Sequence, residues 1–65
     1  MDRSDITNIK IALIEQGKTQ RWLVDELIKR GVNASEVYLS QAMHGLDTPR
    51  TRAIISTANE ILFGE

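Results

Sequence analysis

The stretch from Thr19 to Gly45, TQRWLVDELIKRGVNASEVYLSQAMHG, decides the fold. Apolar residues recur in it every three or four positions on both sides of a corner at Gly31, which predicts two helices packed against each other. The first is predicted to run from Thr19 to Arg30, and the second from Asn33 to about Met43. The second helix would then keep one face for the core and present the other to solvent.

Helix-start signals define the boundaries of four predicted helices. The residues suited to cap them are Ser4 or Asp5, Thr19, Asn33 and Thr48. Asn33 is followed three residues later by Glu36, which predicts a capping box, and Val32 with Val37 would form a hydrophobic staple around it. Pro49 directly after Thr48 suits the first position of the last helix.

The outer helices are predicted to cover the central pair. The first runs from about Asp5 to Gln16 and stops at a left-handed Gly17. Ile11 and Ile14 fall on a second apolar face of that helix, so we expect it to be covered on two sides. The last helix has apolar residues at core spacing, namely Ile54, Ile55, Ala58, Ile61 and Leu62.

Length and composition restrict the class of protein. A chain of 65 residues is predicted to form one domain with a thin core, too small to enclose a large catalytic cleft. It contains no cysteine and a single histidine, His44, with no second ligand nearby, so we expect neither a metal site nor a cofactor. The acids are scattered over solvated helix faces and Gly-rich phosphate loops are absent, so an enzyme is not expected.

Charge and hydropathy point to a non-membrane protein without a strongly basic surface. The formal net charge is −1, which disfavours a sequence-blind coat for nucleic acids. The apolar runs are too short for a signal peptide or a membrane span, so we expect a cytoplasmic location. Cations nevertheless concentrate at Lys18 and Arg21 and again at Arg50 and Arg52.

The segment resembles the helix-turn-helix of phage repressor and Cro-type regulators, the lambda-repressor-like DNA-binding domains. The resemblance rests on the order of Gln20, Leu23, Val24, Leu27, Gly31, Leu39, Ser40, Ala42, Gly45 and Pro49 along the chain. The resemblance implies an all-α, compact domain of four helices, or five. It also implies sequence-specific binding of double-stranded DNA by a transcriptional repressor or regulator of phage or mobile-element type. Two departures are Val24, where a small residue is usual, and residues 28–32, which lengthen the corner.

We expect twelve residues to bind DNA: the resemblance assigns this role by position to Gln20, Glu36, Val37, Tyr38, Gln41 and Arg50, and side-chain chemistry adds the others. The twelve are Lys18, Gln20, Arg21, Ser35, Glu36, Val37, Tyr38, Ser40, Gln41, His44, Arg50 and Arg52. Gln41 suits a bidentate contact to adenine, Ser40 suits several bases, and Val37 suits a thymine methyl group. The four cations would hold phosphates and set the register without reading sequence. The alternative is that Ser40 and Gln41 are ordinary solvated residues and that Glu36 serves only its cap.

A short recognition helix reads few base pairs, so the resemblance also implies a homodimer on half-sites about 34 Å apart. Ile55, Leu62 and Phe63 are expected to form the dimer surface, because little chain remains to cover a terminal Phe. A second hypothesis is a protein-binding modulator on the same scaffold, resembling an antirepressor that pairs with another regulator. The neutral charge and the absence of Lys or Arg from Ala34 to Gly45 favour it.

Overall fold

The computed structural model describes residues 3–64, and every regular element in that range is a helix. The helices are α1 (Arg3–Glu15), α2 (Gln20–Lys29), α3 (Glu36–Met43) and α4 (Pro49–Phe63). The prediction of an all-α fold with four helices is therefore confirmed. None of the helices in the described range is both long enough and apolar enough to cross a membrane.

The core forms where α4 packs against each of the other three helices. The largest apolar side chains within it are fully buried: Ile9, Leu23, Leu27, Leu39 and Ile54. Burying one such side chain stabilises the fold by about 1.5–3 kcal/mol. Because α3 also packs against α2 as well as α4, its inner face is held from two sides.

The first three helices end by the same local device. At the end of α2, the Gly31 N–H donates to the Ile28 carbonyl at 3.0 Å, and the Val32 N–H donates to the Leu27 carbonyl at 3.0 Å. This pair of bonds is the Schellman motif, and it requires the left-handed conformation that Gly31 adopts, with φ of 85°. The same two bonds recur at the ends of α1 and α3, and the predicted stop at Gly17 is confirmed.

The helix starts agree with the predictions at α2 and α4 and differ at α1 and α3. Thr19 and Thr48 are the N-caps of α2 and α4, as predicted. Helix α1 already begins at Arg3, so the prediction that Ser4 or Asp5 caps it is wrong.

The N-cap of α3 is Ser35 rather than Asn33, so the predicted capping box between Asn33 and Glu36 is wrong. The Ser35 hydroxyl accepts a hydrogen bond from the Tyr38 N–H at 3.1 Å, and Glu36 is the first helical residue. The predicted staple is wrong as well, because Val37 is 63% exposed. With the start at Ser35, Ala34 takes the position before the cap and is buried in the core with Leu39.

The second apolar face of α1 is not covered, so the prediction that this helix is covered on two sides is wrong. Ile14 is 79% exposed, and Ile11 is exposed beside it. Helix α1 packs mainly against α4, and the side chains that it buries include Ile9 and Leu13. A chain this short buries only about 60% of the surface that it exposes when unfolded, which is why one face can be left open.

Candidate nucleic-acid interface

Helix α3 is supported on one side and open on the other. Its inner residues Leu39, Ala42 and Met43 are buried. The outward residues are exposed or half-buried: Glu36, Val37, Tyr38, Ser40, Gln41 and His44 at the C-cap. With eight residues, the helix is about 12 Å long. These outward residues, with Arg21 and Arg50, are called the α3 face below.

Two arginines from neighbouring helices stand beside the first turn of α3. The Arg21 guanidinium of α2 lies 3.9 Å from the Glu36 carboxylate. Arg50 of α4 stacks over the Tyr38 ring, with its guanidinium carbon 4.2 Å from the ring centre. The Arg21–Glu36 pair is long and solvated, so it restrains neither side chain strongly. The stacked pair holds a planar cation against α3, which itself carries no Lys or Arg.

The position of Arg50 depends on the corner between α3 and α4. The Thr51 hydroxyl donates to the Leu46 carbonyl at 2.6 Å and accepts from the Thr48 N–H at 2.8 Å. The Thr48 hydroxyl in turn accepts from the Thr51 N–H at 3.2 Å, which completes a capping box. Thr51 is 1% exposed and is the buried polar residue among those described. These bonds fix the first turn of α4, and with it Arg50.

Arg52 is engaged within the chain. Its guanidinium donates two hydrogen bonds to the Asp47 carboxylate, at 2.6 and 3.1 Å. These bonds and the charge of Arg52 lower the pKa of Asp47 to about 2. The predicted phosphate contact of Arg52 would therefore have to compete with a bidentate ion pair.

Two further residues predicted to bind DNA, Lys18 and Gln20, lie where the loop after α1 leads into α2. Lys18 lies over the Trp22 ring, with its ammonium nitrogen 5.1 Å from the ring centre, and Gln20 is exposed at the first position of α2. Both border a surface depression of about 310 Å³ that Lys10 of α1 also borders. Lys10 and His44 border a second depression, of about 290 Å³.

Lys10 was missed from the sequence, because a lone cation on the polar face of α1 gives no local signal. Only the fold brings it beside Lys18 on one side and His44, at the end of α3, on the other. The cations near α3 therefore include one from α1 as well as those of α2 and α4.

The remaining predicted residues have local roles. The Ser35 hydroxyl is used by the cap of α3. The Ser40 hydroxyl lies 3.4 Å from the His44 ring nitrogen Nδ1, one helical turn away.

Ile55 and Leu62 are buried in the core of this chain, so Phe63 is the one predicted dimer residue that presents a large exposed surface. Among residues 3–64, no three metal-binding side chains come together.

Comparison with known proteins adds no relative to this picture. No protein-family model, curated protein sequence or solved structure matches the chain.

Proposed function

We propose that this chain binds double-stranded DNA sequence-specifically through the α3 face and acts as a transcriptional repressor of the phage type, in the cytoplasm. The observation that carries the proposal is the placement of Arg21 and Arg50 beside the first turn of an open, well-supported helix. The major groove is about 12 Å wide and admits one α-helix, with phosphates along both edges. A helix with cations beside it suits that arrangement.

Base reading is assigned to the exposed side chains of the helix. Gln41 is exposed and reaches solvent from the middle of α3, where its amide could pair with both hydrogen-bonding atoms of an adenine. Val37 offers an apolar contact to a thymine methyl group. Arg21, Arg50, Lys18 and Lys10 would contact phosphates, which gives affinity and orientation without sequence preference.

Two copies are proposed to bind adjacent half-sites about 34 Å apart, because an eight-residue helix reads too few base pairs alone. Since Ile55 and Leu62 are in the core, we propose that the copies pair on the operator rather than through a large interface formed beforehand. Sedimentation of free protein and of complexes with one-site and two-site DNA measures this directly. A stable dimer without DNA would contradict it.

The test of DNA binding is a titration of fluorescent DNA flanking the chain's own gene, repeated at several salt concentrations. Affinity should fall linearly in log salt, and Arg50→Ala should weaken all sequences alike and reduce the slope by about 0.9. Gln41→Ala should weaken the operator by about 1–3 kcal/mol and relax the preference at one base pair. The matched control is Lys29→Ala, because Lys29 pairs with Glu26 at the far end of α2.

A protein-binding modulator, resembling an antirepressor, is the second candidate. It is favoured by one observation: the first turn of α3 presents the Glu36 carboxylate and the exposed Val37 side by side. A carboxylate is repelled by phosphates, whereas an acidic and apolar pair suits a protein surface. Absence of DNA binding even at low salt, with the chain folded, would reject the DNA proposal and favour this one.

A further inference from the structure

A groove between α1 and α4 has a character different from that of the α3 face. It has a volume of about 460 Å³, which falls in the range of ligand and peptide clefts. Its principal lining residues are Asp5, Ile11, Ala12, Glu15, Asn59 and Phe63. None of the residues assigned to DNA lines it, so its use does not depend on what α3 binds.

The apolar part of the groove is formed by large side chains that remain in contact with water. Ile11 is 46% exposed and Phe63 is 49% exposed, one on each side of the groove. Ile14 lies one turn from Ile11 on the surface of α1 and extends the apolar strip. Covering such side chains is favourable by roughly 25 cal/mol for each Å² of apolar surface removed from water.

The charged part of the groove is acidic. Asp5 and Glu15 both line it, ten residues apart on α1 and hence about 15 Å apart along the helix axis. Among residues 4–64, neither carboxylate forms an ion pair and no Lys or Arg lines the groove. The groove is thus apolar in its middle and negative towards both ends of its α1 wall.

This charge pattern distinguishes between two possible occupants of the groove, a second copy of this chain and a basic partner protein. In a two-fold contact, the same surface is used by both copies, so Asp5 and Glu15 of one copy would face the carboxylates of the other. Like charges brought together at an interface are unfavourable. A partner with cations around an apolar stripe meets no such repulsion.

We propose that the α1–α4 groove binds a basic amphipathic helix of a partner protein. Apolar residues at i, i+3 or i+4, and i+7 of that helix would cover Ile11 and Phe63. Lys or Arg residues about three turns apart would pair with Asp5 and Glu15 at the two ends of the groove. The chain would then carry a protein-docking surface separate from its α3 face.

The proposal is tested with a synthetic 18-residue helical peptide that has a Leu stripe and Lys at all other positions, and with its Glu-for-Lys twin. Calorimetry measures affinity, and amide chemical shifts locate the site. Binding of the Lys peptide should perturb α1 and the C-terminal half of α4. Glu15→Lys should weaken that binding at least tenfold, whereas Asp25→Lys, the same charge change at an exposed position of α2, should change it less than twofold.

Four results would overturn the proposal. Equal weakening by Asp25→Lys would mean that the peptide is held by overall charge alone. Equal affinity for the Glu peptide would mean that the groove selects no charge. No binding of the Lys peptide to the folded chain would also reject it. Self-association of the free chain that Ile11→Ser abolishes would instead make a second copy the occupant.

Discussion

Replacing Thr51 by Val is the sharpest test of the corner that holds α4 against α3. The substitution keeps the side-chain shape and a nearly complete core, and it removes only the hydroxyl. In the structure that hydroxyl donates to the Leu46 carbonyl and accepts from the Thr48 N–H. Both bonds close a turn at the start of α4, so their loss should destabilise the whole domain.

The magnitude follows from the two bonds and from what replaces them. Each contributes about 0.5–1.5 kcal/mol net, and a buried group left without a partner costs about 1–3 kcal/mol. Leu46 is an exposed residue and Thr48 a half-buried one, so water should replace the lost hydroxyl more readily at the Leu46 carbonyl than at the Thr48 N–H. We therefore expect Thr51→Val to lower the free energy of unfolding by about 2 kcal/mol. For a domain of this size that loss lowers the Tm on the order of 10 °C.

The assay is urea unfolding followed by circular dichroism at 222 nm, fitted with a common m-value. Thr57→Val is the matched control, because Thr57 lies in the same helix, is half-buried and makes no side-chain hydrogen bond to another described residue. Its effect should stay within about 0.5 kcal/mol. If Thr51→Val and Thr57→Val shift the midpoint equally, the hydroxyl does not hold the corner.

Three further outcomes are expected from the caps, the ion pair and the left-handed turn. Ser35→Ala should cost about 1 kcal/mol of stability and Asn33→Ala almost nothing, measured by the same urea titration; the reverse order would restore Asn33 as the cap. The folded-state pKa of Asp47 lies below its ordinary value, so its ion pair with Arg52 stabilises the fold above about pH 4 and this contribution disappears as the pH falls towards about 2. Unfolding at stepped pH should show Asp47→Asn less stable than the native chain at pH 5, and the difference should shrink and vanish as the pH falls through about 2. Gly31→Ala should destabilise by about 1 kcal/mol or more, because its φ of 85° strains any side chain, and an unchanged midpoint would contradict this.

Local chemistry made most of the fold predictable. Thr48 and Pro49 signal the start of α4, and a glycine that adopts the left-handed conformation signals the stops at Gly17 and Gly31, so neighbouring residues suffice to predict these boundaries. The start of α3 could not be settled this way, because Asn33 and Ser35 are both good caps. Which of the two caps the helix depends on which residue before the cap can be buried in the core, and this is decided by how the helices pack together.

The residues of α3 in the candidate interface could be predicted from the sequence, whereas the contacts made by residues of the other segments could not. The outward side chains of α3, such as Gln41, follow from helical periodicity once the buried positions are known. The stacking of Arg50 on Tyr38, the pairing of Arg52 with Asp47 and the approach of Lys10 to α3 do not. Each of these three contacts joins residues from separate segments of the chain. Such residues come close only through the way in which the helices pack, which local sequence does not specify.

The glycine-closed ends of the first three helices have a consequence for folding kinetics. Their terminating bonds span at most five residues, so each helix can end correctly before it meets another. Helical domains rich in such local contacts fold in microseconds to milliseconds. Temperature-jump relaxation of Trp22, which packs against the core from α2, should therefore show a single phase in that range.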